Sequence, residues 1–176
     1  MKRVLVFFAA LIFATVTFAA PFVNTTGSDD NTAISGFDTV AFFTEKKTIA
    51  GKPDFQFNYL GAKWLFSSQD NLNLFQKNPE KYMPEWGGQC AWAISENTLS
   101  NKKLSGSFEF IKGKLYLFSF GNTSADGAID DFLYGRTKPG VRIPEGDKNW
   151  PEIKRQLEEG TLVQRNSRNY RKTPWG

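Results

Sequence analysis

"DFQFNYLGAKWLFSSQDNLNLFQKNPEKY", residues 54–82, changes period halfway along, and that change decides the fold. In its first half Phe55, Phe57 and Tyr59 alternate with polar neighbours. A turn at Gly61 follows, and then Trp64 and Phe66 take up the alternation. A period of two on either side of a glycine turn is an antiparallel hairpin, here stabilised by aromatic cross-strand pairs. After Phe66 the period becomes helical. Ser67 or Ser68 supplies an N-capping hydroxyl for "QDNLNLFQKN", in which Leu72 and Phe75 lie three apart on one face. Pro79 closes that helix, and "PEKYMPEW" reads as a short helical turn and then a loop.

Upstream, in "SGFDTVAFF", Asp38 is placed to cap a helical turn over Thr39–Phe43. Downstream, "SFEFIKGKLYLFSF" is a second hairpin turning at Lys112-Gly113, with Phe108, Phe110, Leu115 and Leu117 inward. "DKNWPEIKRQLEEG" reads as an amphipathic helix with Trp150, Ile153 and Leu157 on one face, Pro151 in its first turn and Gly160 at its end. The sum is an α+β fold: a small single domain of antiparallel β-hairpins with short packed helices.

The ends differ from this body. Residues 1–20, "MKRVLVFFAALIFATVTFAA", have a basic start at Lys2 and Arg3, an apolar run and small residues at Thr17 and Ala19. That is the pattern of a signal peptide cleaved after Ala19 or Ala20. The mature chain is then expected in a periplasm or outside the cell, with no membrane span left. Residues 21–33 are polar and turn-prone and read as a linker, 34–157 as the domain, and 158–176 as a basic, disordered tail. Removing the chain from Thr161 onward is expected to leave the fold intact.

The net charge of +4 sits at the ends. Of 22 basic residues, Lys2 and Arg3 lie in the opening segment and Arg165, Arg168, Arg171 and Lys172 in the tail. The 16 between them meet all 18 acids, so the body has a net of −2. Such a body has no nucleic-acid footprint, while the tail carries the charge to touch anionic surfaces. Histidine is absent, which removes the commonest general base and a leading metal ligand.

The one cysteine, Cys90, lies in "PEWGGQCAWAIS", after Gly87-Gly88 and between Trp86 and Trp92. One soft ligand without an imidazole cannot build a tetrahedral zinc or copper site in one chain. "SADGAIDD" offers Asp126, Asp130 and Asp131 without calcium-loop spacing. Without His, a Cys-His nucleophile pair is excluded. Two readings of Cys90 stay open. Either it is a small apolar residue in the core, or it is a reactive thiol activated by free N–H groups if Gln89–Ile94 open a helix. In the first case the sulfur is expected to lie beside a small hollow lined by the flanking tryptophans.

Taken together, "ISGFDTVAFF", "GAKWLFSSQDNLNLFQKNPEKYMPEWGGQCAWAIS", "GKLYLF" and "DKNWPEI" resemble the exported branch of the YHS-domain family, from about Ala33 to Ile153. YHS domains are described as metal-associated modules. The resemblance implies that metal-binding relatives carry a cysteine beside the aromatic at the hairpin end and another on the following helix. This chain has Ser67 and Ser68 at the first place, and Asp70, Asn71 and Asn73 on the helix. Some relatives of the branch carry selenocysteine at the position of Cys90, which implies a redox-capable residue there.

The resulting expectation is an exported accessory or small-ligand-binding module without assigned catalytic residues, metal or cofactor. Its candidate surface comprises Cys90, Gly87, Gly88, Trp86 and Trp92, with Asp38 and Ser67 carried by the family pattern. Its partner would be a small ligand or an envelope component. The alternatives are a thiol-dependent redox protein using Cys90 and an envelope interaction protein acting through its tail.

Overall fold

A computed structural model describes residues 21–119 and 142–164. The opening leader, the Asp126–Asp131 acids and the tail arginines lie outside these residues. The first hairpin pairs β1 (Lys52–Tyr59) with β2 (Ala62–Phe66), antiparallel, with Tyr59 opposite Ala62. The two turn residues, Leu60 and Gly61, both have positive φ, the primed-turn geometry that follows the twist of the strands. The second hairpin pairs β3 (Ser107–Ile111) with β4 (Lys114–Phe118) through Lys112-Gly113 in the same manner.

Helix α1 (Thr39–Thr44) precedes the first hairpin, and α2 (Gln69–Lys77) and α3 (Pro79–Tyr82) follow it. Ser68 is the cap of α2: its hydroxyl accepts from Asn71 N–H, which leaves Ser67 to point elsewhere. Phe75 of α2 is fully buried between Trp64 and Phe66, each ring centroid 5.0 Å away. Helices α4 (Ala91–Ser95) and α5 (Arg142–Glu158) pack on each other on the far side of β4.

Strand β4 explains the layering. Leu115 and Leu117 enter the core formed by the first hairpin and α1–α3. Tyr116 and Phe118 enter a second core with Trp86, Ile94, Ile153 and Leu157. Because side chains alternate across a strand, one strand closes two cores, and "LYLF" is hydrophobic throughout because neither face meets water.

Three expectations need correction. Residues 21–33 are not a free linker: Val23, Asn24, Thr25 and Thr26 are buried, and Asn24 bonds to both Gly87 and Ile34 backbone. The polar composition reflects backbone and amide bonding inside the fold. The tail, read as 158–176, also begins later, because Gln164 is bonded into the body. Finally, Pro151 lies inside α5, which begins at Arg142. The ring removes one backbone hydrogen bond, but the turns before it are held from outside. Asn149 donates to the carbonyls of Ile94 and Ser95 at 3.1 and 3.2 Å, ending α4 on the flank of α5.

Candidate functional site

The sequence candidates fall at two places in the fold. At the first, Asp38 is fully buried at the start of α1. One carboxylate oxygen accepts the N–H groups of Val40 and Ala41 at 2.9 and 3.2 Å. The other accepts the Ser67 N–H at 2.8 Å, the Ser67 hydroxyl at 2.6 Å and the Asn71 side-chain amide at 2.7 Å. One anion thus joins α1, the end of β2 and α2, with five neutral donors in place of a cation. Asp38 and Ser67 do belong together, and Asn71 completes their group.

At the second place, Trp86, Gly87 and Gly88 turn with φ of 51°, 62° and 72°, three left-handed residues in succession. Both glycines are required by contact as well as conformation. A Cβ on Gly87 would stand 2.9 Å from Phe22 O, and one on Gly88 2.4 Å from Ile34 Cδ1. Trp86 accepts a conformation costing about 1–2 kcal/mol for an L-residue. Its indole is buried 5.1 Å from the Tyr116 ring, and its Nε1–H donates to Asp147 at 3.2 Å. The fit against α5 is so close that a Cβ on Gly146 would lie 2.3 Å from the Trp86 ring. Burial raises the Tyr116 phenol well above its ordinary pKa, and the carboxylates of Glu85 and Asp147 add to it.

Cys90 follows this turn and is fully buried. It pairs with Leu117 in a single parallel bridge, and its Sγ accepts the Ser119 N–H at 3.4 Å. It occupies the cap position of α4, but its side chain makes no capping bond, and that helix has only five residues.

Gln164 was not expected. Its side-chain oxygen accepts from Thr25 N–H at 2.8 Å and from the Gln89 amide at 3.2 Å. Its nitrogen donates to the carbonyls of Pro21 and Val23 at 3.0 and 2.8 Å. The first and last described segments are therefore clamped to the residue preceding Cys90. Leu162, Val163 and Gln164 form a wall between two hollows. One, of about 390 Å³, is lined by Trp92, Thr98, Leu99 and Asn101 among others. The other, of about 210 Å³, opens between Pro21, Asp29 and Leu157. The sulfur of Cys90 lines neither of these two hollows.

With this geometry in place, residues 40–86 match the YHS domain family. The chain carries a YHS domain. No curated relative and no solved structure matches the chain. The match covers α1 to α3 and the first hairpin and ends at Trp86, so Cys90, β3, β4 and α5 lie beyond it.

Within the YHS domain, the hairpin end and following helix, where the resemblance places ligands in metal-binding relatives, are occupied here by Ser67 and Asn71. These close on Asp38. The donor set does not fit a metal. Every group aimed at the carboxylate presents a proton to it, and a cation would have to displace them. Among the described residues no three His, Cys, Asp or Glu side chains cluster so as to hold an ion. Asn71 was legible as a helix residue at that place, whereas Gln164 carried no sequence signal, because its partners are 75 to 143 positions away.

Proposed function

We propose that the chain is an exported accessory module that binds and does not catalyse, with its functional surface on the side carrying the Trp86–Trp92 segment. One observation carries this reading: the single thiol is fully buried beneath β4 and occupied by the Ser119 N–H. A buried sulfur with no base bonded to it among the described residues needs local opening before it can attack the disulfide or peroxide of another molecule. This burial supports the binding reading over the redox alternative. Export is supported by the leader pattern of residues 1–20.

The test is the alkylation rate of the native thiol across pH, read beside N-terminal sequencing of the secreted protein. We expect modification only on the timescale of unfolding, and a mature chain starting at Ala20 or Pro21. Fast alkylation at neutral pH, with an apparent pKa far below the free value of about 8.5, would restore the redox reading.

A further inference from the structure

We infer that the hollow beside Trp92 binds a small neutral polyhydroxylated ring, chemically a sugar. The inference rests on the binding-module reading and names where and what the module binds. The hollow measures about 390 Å³, within the range of roughly 300–1,000 Å³ for small-molecule sites. None of its described lining residues carries a charge, so among them an ionic ligand would lose its hydration without gaining a counter-ion.

The walls are of two kinds. Trp92, Leu99 and Leu162 give an apolar side, with the tryptophan partly buried and anchored in the second core. Thr98 and Asn101 give a polar side. The loop bearing them is fixed by the Thr98 N–H to Ala93 O bond at 3.0 Å. Ser100 is occupied by Lys102, and the Gln164 amide has spent its capacity on the clamp. The Asn101 carboxamide and the Thr98 hydroxyl make no hydrogen bond to the described residues and are left to a ligand. A wholly apolar ligand would bury these two groups unpaired. A sugar ring matches both walls, with C–H faces for the indole and leucines and neutral hydroxyls for the carboxamide. A single ring of so few atoms implies millimolar affinity.

The experiment is a heteronuclear NMR titration of the ¹⁵N-labelled protein, expressed from the whole chain, with glucose. Glucuronate serves as the anionic counterpart and cyclohexanol as the apolar one. We expect glucose to shift the Trp92 indole and the Leu99 and Asn101 resonances saturably, with both counterparts about tenfold weaker. Asn101→Leu, an exposed change that spares the core, should weaken glucose about tenfold without weakening cyclohexanol. No saturable shift at these residues, equal binding of cyclohexanol, or tighter binding of glucuronate would each overturn the assignment. The thiol measurement is independent. An inert Cys90 with no glucose binding refutes the ligand class alone, whereas a fast-reacting Cys90 refutes the module reading itself.

Discussion

Asp38→Ala should be among the most damaging single changes in the chain, and the cost can be worked from its five donors. Losing the cap of α1 costs about 1 kcal/mol, since the N–H groups of Val40 and Ala41 both use it. The Ser67 N–H would then lose its acceptor, and the Asn71 amide would keep only the Ser67 hydroxyl oxygen at 3.3 Å, at about 1–3 kcal/mol each. The Ser67 hydroxyl can rotate and costs little. The sum is roughly 3–7 kcal/mol, against a total of about 5–15 kcal/mol for a domain. Urea unfolding of the wild type, Asp38→Ala and Ser67→Ala measures it, with Ser67→Ala expected at about 1 kcal/mol because it removes one neutral donor. Added zinc or copper should not restore the alanine variant, and chelators should leave the wild-type melting temperature unchanged. A loss below about 1 kcal/mol for Asp38→Ala would refute the idea that one buried anion organises three elements. A metal-dependent rise in wild-type melting temperature that vanishes in the variant would show that the knot opens to a ligand.

Gln164→Ala should cost about 2–3 kcal/mol, from four bonds worth about 1 kcal/mol each less partial replacement by water. A urea melt of the variant beside the wild type measures it, and a loss below about 1 kcal/mol would show that the clamp is replaced by water. Gly146→Ala should destabilise by about 1–3 kcal/mol through overpacking, although alanine is normally favoured inside a helix by about 1 kcal/mol. The added Cβ meets the Trp86 ring, and a stabilised variant would show that Trp86 moves freely. Tyr116 gives a pH dependence. Its folded pKa is raised, so the neutral form is favoured by folding. That contribution is complete below the unfolded value of about 10 and is lost as pH rises above it. Alkaline melts of Tyr116→Phe should fall less steeply with pH than those of the wild type, and equal slopes would refute the assignment.

The local elements were legible because each rests on neighbours in the chain. The period-two run of Phe55, Phe57 and Tyr59, the Gly61 and Gly113 turns, the Asp38 cap and the Leu72–Phe75 spacing all report backbone conformation within a few residues. Each is where the sequence reading placed it. The Asp38–Ser67 pair was carried only by the family pattern, and its closure with Asn71 depends on bringing residues 33 positions apart together.

What the sequence by itself determined was therefore the set of pieces: two aromatic hairpins, capped short helices, and a cysteine without a histidine to activate it. Tertiary structure alone decided how they are used. It buries β4 on both faces and so hides Cys90. It turns the polar residues 21–26 into a packed segment, and it makes Gln164 a clamp. It also sets Gly146 against Trp86, so that a helix glycine marks a contact and not a break. The physical reason is common to all four. Burial and hydrogen-bond partnership depend on which distant surfaces meet, and in a fold built from short elements those surfaces leave no periodic trace along the chain.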